Sequence, residues 1–402
     1  MHLYALLIEC ASLFNKKARK TRLGQWHTNG ILRDQIDRQA KYIWFHAASL
    51  GEFEQARPIM EAIRKRFPQY RILLTFFSSS GYEVCKNYDG ADVICYLPID
   101  TLFKVRKFLH LANPAIAVFT KNEFWYNYLT ELKRRHIPTY LVSGIFRREQ
   151  LFFRSYGKWY RKALECFDHL FLQNEASAKL LAEYGITNVS ICGDTRIDRV
   201  LDIQRQEHLL PVVDAFAGNK EQLILIAGSS WPQDEDIILP YFNTHQEIKL
   251  IIAPHQIHRE HLMDIESKLK RPCIRLSEAN EQTIAGKDCL IIDSFGQLSY
   301  IYRYGQIAYI GGGFSKWIHN TLEAVVYGIP VLFGPNYYKF KEANELILVG
   351  GGFSLANEDE FQTLMDKLIA DPELRKQIGH TVAGYVQQNS GVTDKILKEL
   401  PL

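Results

Sequence analysis

The first half of the chain alternates short apolar runs with stretches of helical spacing. Residues 42–47 and 71–77 are apolar runs of strand length, and residues 51–67 between them carry apolar side chains at helical spacing. Further strands are predicted at 93–97, 115–119, 139–143 and 169–173, with helices at 103–109 and 125–135. Strand–helix–strand order at this spacing predicts a parallel sheet with right-handed crossovers.

The same alternation restarts in the second half of the chain. Residues 202–219 are charged and contain Pro211, which indicates a linker between domains. Beyond them, strands are predicted at 223–227, 249–253, 289–293, 307–310 and 331–333, with helices at 256–269 and 320–327. We therefore predict an α/β protein of two Rossmann-like domains facing a ligand cleft.

The amino-terminal residues form a distinct pattern. Residues 3–14 are apolar apart from Glu9, and a basic cluster follows at 16–22. About 20 apolar residues are needed to span a bilayer, so this run is too short, and it lacks the cleavage site of a signal peptide. We expect a short membrane-associated helix that lies on anionic lipid. The alternative is a first helix packed on the protein's own core.

These patterns give three expected segments: a membrane-associated segment at 1–30, a first Rossmann-like domain at 31–205 and a second at 206–402. A length of 402 residues suits two domains. The formal net charge of +3 is small for this length, so nucleic acid is not an expected partner. The seven cysteines show no C-x-x-C spacing, and we interpret them as reduced thiols, mostly buried.

The loop after the first strand carries candidate chemistry. Gly51 leaves room for a ligand, and Glu52 at the start of a helix is a candidate general base. A purely structural alternative is a capping box, in which Ser49 and Glu52 bond each other's backbone. After the second strand, Ser79 and Ser80 open a helix that suits an anion, although a plain turn explains them as well.

The strongest local signal is a run of three glycines directly after a predicted strand: Gly311, Gly312 and Gly313. Such a run lets a ligand approach the backbone, although a structural turn is the alternative. Asn320 and Thr321 then open a helix whose amides suit a phosphate, and Glu323 is placed to bind ribose hydroxyls. The run is neither G-x-G-x-x-G nor a Walker loop, which argues against a dehydrogenase and a P-loop enzyme.

Other candidate donor-binding residues also follow strands of the second half: Ser229, Ser230, His255 and Pro335. His255, His258 and His261 do not share one helical face. No metal site is therefore expected.

Taken in order, these motifs are similar to those of a known family. The relevant stretches are 44–52 (WFHAASLGE), 122–125 (NEFW), 193–198 (GDTRID), 311–323 with its glycines and NTLE, and 334–336 (GPN). From about Leu3 to Val392 the chain resembles the 3-deoxy-D-manno-octulosonic acid (Kdo) transferases of lipopolysaccharide synthesis.

The resemblance implies a GT-B glycosyltransferase fold and metal-independent, inverting transfer without a cofactor. It implies CMP-Kdo as donor and a lipid A precursor (lipid IVA) as acceptor. Glu52 would be the base, Glu123 would organise the acceptor side or the donor sugar, and Glu323 would hold the ribose. The protein would work at the cytoplasmic face of the bacterial inner membrane as a peripheral or monotopic protein.

Cationic partners are expected for the donor carboxylate and the acceptor phosphates, and the candidates are Arg147, Arg148, Arg196 and Lys339. Three positions depart from the family pattern, and one is Tyr126, which stands where the second acidic motif commonly ends with Pro. Lys121 stands where the second acidic motif commonly begins with Glu, and the arginine usually placed before the histidine of the 253–259 loop is missing.

Two other functions remain open at this point. Another GT-B enzyme, a UDP-sugar transferase or epimerase, would use the same glycine loop and Glu323. A non-catalytic membrane-associated binding protein would be expected to have lost Glu52 or Glu323, and both are present. The loop from Ser49 to Glu52 favours Kdo transfer.

Overall fold

The computed structural model describes residues 14–218 and 222–402, and the chain divides into two compact units. Residues up to Asp198 and Ser390–Leu402 form the first unit, and Arg199–Asn389 form the second. Each unit is built on one seven-stranded parallel sheet. The α/β fold of two Rossmann-like domains is thereby confirmed.

The first sheet has the strand order β3-β2-β1-β4-β5-β6-β7. Its strands are β1 (Lys41–Ala47), β2 (Tyr70–Phe76), β3 (Val93–Tyr96), β4 (Ile116–Thr120), β5 (Thr139–Gly144), β6 (His169–Leu172) and β7 (Val189–Ile191). Tyr42 and Trp44 of β1 belong to one core cluster, and Ile43 and Phe45 belong to another. The strands read as continuous apolar runs because both faces of the sheet are covered.

Its helices are α1 (Lys16–Gln35), α2 (Leu50–Arg66), α3 (Ser79–Cys85), α4 (Leu102–Ala112), α5 (Tyr126–Arg134), α6 (Lys158–Arg161) and α7 (Glu175–Ala182). Helix α8 (Arg196–Arg205) begins in the first unit and continues into the second. Short 3₁₀ turns lie at Leu151–Phe153, Ser155–Gly157 and Leu164–Cys166.

The second sheet has the order β10-β11-β9-β8-β12-β13-β14. Its strands are β8 (Leu223–Ser230), β9 (Ile248–Pro254), β10 (Cys273–Arg275), β11 (Cys289–Ile291), β12 (Ile307–Ile310), β13 (Val331–Phe333) and β14 (Gly352–Ser354). Its helices are α9 (Pro211–Ala217), α10 (Pro232–Thr244), α11 (Arg259–Lys268), α12 (Leu298–Ile301), α13 (Leu322–Val325), α14 (Lys341–Leu348), α15 (Glu358–Ala370) and α16 (Pro372–Gln388), with 3₁₀ turns at Leu276–Glu278 and Tyr302–Tyr304.

The first strand order reverses direction between β1 and β4, and the second does so between β8 and β12. On either side of such a switch point the crossovers leave towards opposite faces of the sheet, which opens a crevice at the carboxyl ends of the strands. The loops after these four strands are therefore the places where each unit is built to hold a ligand.

The segment predicted as a linker at 202–219 is mostly helical, because α8 and α9 occupy most of it. Pro211 is the first residue of α9, a position where proline costs no hydrogen bond, and Val213 and Phe216 are buried. The helix predicted at 320–327 is also shorter than expected and is reduced to the four residues of α13. The unexpected strands β7, β10 and β14 have three residues each, too few to show a strand pattern.

The predicted membrane-associated segment lies mostly outside the described residues, which begin at Phe14. Its described part is not separate, because α1 runs past residue 30 and packs on the first unit. Thr28 donates a hydrogen bond from Oγ1 to the Tyr96 carbonyl at 2.8 Å, and Leu32 is buried. Among the described helices, none is long and apolar enough to cross a bilayer.

The described cysteines are free thiols: Cys85, Cys95, Cys166, Cys192 and Cys289 are buried, and Cys273 is half-buried. Burial raises the pKa of the Cys192 thiol to about 11. Cys10 lies outside the described residues.

The predicted second domain ends too late, because the last helix, α17 (Val392–Glu399), packs on the first unit. Ile396 joins the core cluster that contains Ile59 of α2. The Asp198 carboxylate accepts hydrogen bonds from the Gly391 and Thr393 amides at 2.7 and 2.6 Å, which satisfies amides that the helix itself leaves unpaired.

We expect Asp198→Ala to destabilise the protein by about 1 kcal/mol, as for other lost helix caps. Urea unfolding measures the change in the free energy of unfolding. The control is Asp202→Ala, since Asp202 lies on the same helix in an exposed pair with Arg205 at 3.7 Å; its loss should cost under about 0.5 kcal/mol. Equal effects of the two variants would contradict the capping role of Asp198.

Candidate functional site

The first site begins at the amino terminus of α2, beside the β1–β4 switch point. The Glu52 Oε2 atom accepts hydrogen bonds from the Ser49 amide at 2.9 Å and the Ser49 hydroxyl at 3.1 Å. The capping box weighed as a structural alternative is therefore present. It fixes the Glu52 carboxylate at the carboxyl edge of the sheet.

The pKa of Glu52 is raised above its ordinary value. Burial is the main cause and the neighbouring Glu123 carboxylate adds to it, while His46 and the bonds from Ser49 act in the opposite direction. A carboxylate with a raised pKa is a stronger base once ionised. The same group can therefore cap α2 and accept a proton.

Glu123 follows β4, on the other side of the switch point. Its Oε2 atom lies 3.1 Å from His46 Nε2 and accepts a 2.6 Å hydrogen bond from the Trp125 indole. His46 Nδ1 in turn lies 2.9 Å from Thr75 Oγ1, which also accepts a 2.8 Å bond from the Trp44 indole. A buried chain of hydrogen bonds thus connects β1, β2 and the Glu123 loop.

The same histidine makes a further contact on its Nδ1 side. Nδ1 lies 3.2 Å from the Thr75 carbonyl oxygen, in addition to its contact with Thr75 Oγ1. Because a hydroxyl can either donate or accept, the imidazole can donate a hydrogen from Nδ1 or from Nε2. His46 was not among the predicted site residues, because its partner Glu123 is distant along the chain.

Gly51 and the serines of the next loop lie at the same edge of the sheet. A Cβ atom added at Gly51 would meet nothing within 4 Å, so there is open space beside Glu52. The Ser78 amide donates to the Ala48 carbonyl at 2.7 Å and joins the two loops. Ser79 is buried, whereas the Ser80 hydroxyl lies 2.9 Å from that of Ser78.

Two of the predicted anion-binding arginines already have carboxylate partners. Arg196 pairs with Asp194 at 2.6 Å, and Arg148 pairs with Glu183 at 2.6 Å. The pKa of Asp194 is lowered by Arg196, with a smaller contribution from Lys121, against the effect of burial. The charges of Arg196 and Arg148 are therefore offset by the carboxylates of Asp194 and Glu183.

Arg147 is exposed. Its loop contacts the Glu123 loop, because Gln150 Nε2 donates to Asn122 Oδ1 at 3.5 Å.

In the second unit the glycine run packs against the protein's own backbone. A Cβ atom at Gly311 would lie 2.2 Å from the Ser229 carbonyl oxygen, and one at Gly313 would lie 2.6 Å from Gly334. Gly312 has φ +95°, which other residues rarely adopt. The expectation that these glycines clear space for a ligand is corrected: they let the loops after β8, β12 and β13 meet.

The buried carboxylate of Asp234 holds two of these loops together. Asp234 Oδ2 accepts hydrogen bonds from the Trp231 amide at 2.9 Å and the Gly312 amide at 2.8 Å. Oδ1 accepts the Tyr309 hydroxyl at 2.8 Å. Burial raises the pKa of Asp234, and these three donors oppose the rise. Sequence reasoning missed this residue because its glycine partner is far away along the chain.

Glu235, next to Asp234, is fully buried and binds a second loop. It accepts the Ser230 hydroxyl at 2.8 Å and lies 2.8 Å from His261 Nε2. The His255 amide donates to the Ser230 carbonyl at 2.9 Å. Ser230 was predicted as a donor contact, and His261 was considered as part of a histidine series. Both residues bond the buried Glu235. Within the described ranges, no cluster of three or more His, Cys, Asp or Glu is arranged to hold a metal ion.

The residues predicted to bind the nucleotide stay together around α13. Asn320 Nδ2 donates to Glu323 Oε1 at 3.0 Å. The Thr321 hydroxyl is fully buried and without a hydrogen-bond partner, so only its backbone can serve a ligand. Since α13 has a single turn, its dipole is much weaker than the sequence suggested.

Three further predicted residues lie near these loops. Ser229 has φ +55°, and Pro335 is exposed. The Lys339 ammonium lies 3.6 Å from the centre of the Trp317 ring.

Solved structures share this fold. UDP-GlcNAc 2-epimerase from Neisseria meningitidis superposes with a TM-score of 0.61 and 15% sequence identity, covering 89% of this chain and 100% of the other. A putative UDP-N-acetylglucosamine 2-epimerase from Listeria monocytogenes gives a TM-score of 0.58 at 14% identity, covering 89% and 95%. These neighbours place both units in the GT-B architecture.

Sequence comparison points to one enzyme family. Residues 17–199 match the family model of 3-deoxy-D-manno-octulosonic-acid transferase (kdotransferase). The 3-deoxy-D-manno-octulosonic acid transferase of Aquifex aeolicus is 29% identical over 336 residues, 82% of this chain and 86% of the relative. That of Haemophilus influenzae is 26% identical over 371 residues, 88% and 85%. Residues 17–199 thus carry the 3-deoxy-D-manno-octulosonic acid transferase domain, and over most of its length the chain is similar to these glycosyltransferases.

Proposed function

We propose that this glycosyltransferase moves Kdo from CMP-Kdo to a lipid A precursor, lipid IVA, with inversion and without a metal ion or other cofactor. The observation that carries the proposal is the pair Glu52 and Glu123 on opposite sides of the β1–β4 switch point, with Glu52 made more basic by burial. Similarity to the Kdo transferases supplies the identity of the sugar.

In the proposed reaction, an acceptor hydroxyl beside Gly51 loses its proton to the Glu52 carboxylate. The hydroxyl oxygen forms a bond to the anomeric carbon of Kdo as the bond from that carbon to the CMP phosphate oxygen breaks. CMP leaves with the electron pair of the broken bond. His46 and Trp125 hold Glu123 in place, so that its carboxylate can bind polar groups of the substrates near the reacting hydroxyl.

The second unit is proposed to hold the donor. Asn320 and Glu323 are joined by a hydrogen bond, and both are partly exposed, as ribose-binding groups must be. Asn320, which is partly exposed, is then proposed to contact the phosphate. The buried carboxylates Asp234 and Glu235 act indirectly, since they fix the loops that carry these groups.

We also propose that the protein is peripheral, at the cytoplasmic face of the bacterial inner membrane. Helix α1 packs at the end of β3, where Thr28 donates a hydrogen bond to the Tyr96 carbonyl. Leu23 and Trp26 are exposed there, and Phe103 at the start of α4, on the same edge, is 77% exposed. Arg19 is exposed beside them. Exposed apolar side chains with basic neighbours suit an anionic lipid surface, which would also present the acceptor.

Transfer from CMP-Kdo made in situ to tetra-acylated lipid IVA, with chelator in the transfer step, tests the reaction. We expect Glu52→Gln to lower turnover by about 10²–10⁴-fold, the usual effect of losing a general base, while CMP affinity is kept. The control is Glu54→Gln, a half-buried position on the same helix whose carboxylate lies 3.9 Å from Arg57. Mass spectrometry counts the added sugars.

Near-normal turnover of Glu52→Gln would contradict its role as base. No product from the wild type, with preferential stabilisation by UMP rather than CMP in a thermal-shift assay, would favour a UDP-sugar enzyme. No product and no nucleotide binding would favour a non-catalytic binding protein.

The raised pKa of Glu52 predicts a pH-dependent effect on stability. Its folded-state pKa lies above the unfolded value, so its contribution to stability is fully present below the unfolded pKa and is lost as pH rises through the folded pKa. Glu52→Gln removes that loss. We therefore expect the free energy of unfolding of the variant, relative to wild type, to increase from pH 5 to pH 8. A constant or decreasing difference, measured by urea unfolding with Glu54→Gln in parallel, would contradict burial as the cause of the shift.

Membrane binding is tested by sedimentation with vesicles that contain anionic lipid. We expect Trp26→Glu and Phe103→Glu each to weaken binding by about 10-fold, because a large apolar side chain no longer enters the interface. Leu348→Glu is the matched control, since Leu348 is 85% exposed in the second unit. Equal binding of all three variants would place the membrane contact elsewhere.

A further inference from the structure

Three aromatic rings meet at the β8–β12 switch point of the second unit. The Trp231 and His255 rings stack with centroids 4.7 Å apart, and the His255 and His319 centroids are 4.5 Å apart. The Trp231 indole Nε1 donates a 3.1 Å hydrogen bond to His319 Nε2. These rings come from the loops after β8, β9 and β12.

The position of the His319 ring is fixed by the backbone around it. Its amide donates to the Gly311 carbonyl at 3.1 Å, and its Cδ2 atom would lie 3.2 Å from a Cβ atom at Gly312. Asp234 Oδ2 accepts from the amides of both Trp231 and Gly312. Asp234 Oδ2 therefore fixes both Trp231, which donates to His319, and Gly312, which lies against the His319 ring.

This arrangement sets the tautomer of His319. An indole N–H can only donate, so Nε2 of His319 must accept with its lone pair, and the proton of the neutral ring sits on Nδ1. Burial, and then His255, lower the pKa of His319 to about 4. Near neutral pH the residue therefore presents an uncharged N–H donor at Nδ1, and no described residue accepts a hydrogen bond from it.

We propose that His319 Nδ1–H binds an anionic oxygen of the nucleotide-activated donor, either the phosphate or the sugar carboxylate. The proposal deepens the proposed function and rests on it for the class of ligand. The ring precedes the nucleotide-binding candidates Asn320 and Glu323 and lies at the crevice of the sheet, where ligands of such folds bind. Its uncharged state makes the hydrogen bond independent of pH near neutrality.

Two substitutions distinguish the role of Nδ1 from that of Nε2 in His319. In His319→Asn the side-chain amide occupies the place of Nδ1, whereas in His319→Gln it reaches the place of Nε2. If the phosphate is the ligand, we expect calorimetry to show CMP affinity about 10-fold or more weaker for His319→Gln, the usual effect of losing a hydrogen bond to a charged group, and largely kept for His319→Asn. Cytidine, which lacks the phosphate, should bind all forms equally.

If the sugar carboxylate is the ligand, CMP affinity stays unchanged and the KM for CMP-Kdo rises in His319→Gln but not in His319→Asn. The proposal is overturned if His319→Gln matches wild type in both measurements. The nucleotide preference of the wild type tests the identity of the donor. If the wild type binds UMP more tightly than CMP, the proposed donor is contradicted, and the His319 variants are then compared by their UMP affinity. Binding of neither nucleotide contradicts both proposals.

The tautomer is tested without substitution of His319. Long-range ¹H–¹⁵N NMR of the wild type should show a protonated Nδ1 and an unprotonated Nε2 between pH 6 and pH 8. In Trp231→Phe, which keeps an aromatic ring and loses the indole donor, both tautomers should be populated. A protonated Nε2 in the wild type overturns the proposal.

Discussion

The constraint on which the rest of the structure depends is the crossover rule of parallel sheets. Parallel strands need connections that cover a face of the sheet, and a reversal of strand order sends neighbouring connections to opposite faces. The reversal occurs at β1–β4 in the first unit and at β8–β12 in the second. Since the strands are buried on both faces, polar side chains can gather only where the strands end. Glu52, Glu123 and His319 all lie at such ends.

Burying carboxylates at these ends requires that their oxygens be paired. Asp234 and Glu235 are both fully buried, and each has its oxygens bonded to groups from neighbouring strands, loops or helices. A buried carboxylate without such partners would destabilise the folded state by roughly several kcal/mol, and it would become protonated instead. Their donors are backbone amides, hydroxyls and one histidine. These carboxylates therefore have a structural role, whereas Glu52, the proposed base, is only half-buried.

The sequence predicts the elements with strong periodicity and the residues whose partners are local. The β1 loop with Glu52 is an example, because both the capping box and the strand before it lie within ten residues. Asp234 and His46 could not be found in this way, since their partners Gly312 and Glu123 come from distant loops that only the sheet brings together. The glycine run was located correctly and interpreted wrongly. Nothing local distinguishes a glycine that admits a ligand from one that admits another loop.

Burial acts in opposite ways on the proposed base and on the proposed donor-binding group. A general base must change its protonation state in each turnover, and Glu52, the proposed base, has its pKa raised by burial and by the neighbouring Glu123 carboxylate. A group that holds the donor must keep one protonation state from binding to release. His319 meets that need, because its bond from Trp231 fixes the neutral tautomer and burial holds its pKa at about 4. Burial thus makes one side chain ready to titrate and prevents another from doing so, because desolvation disfavours the charged form of each.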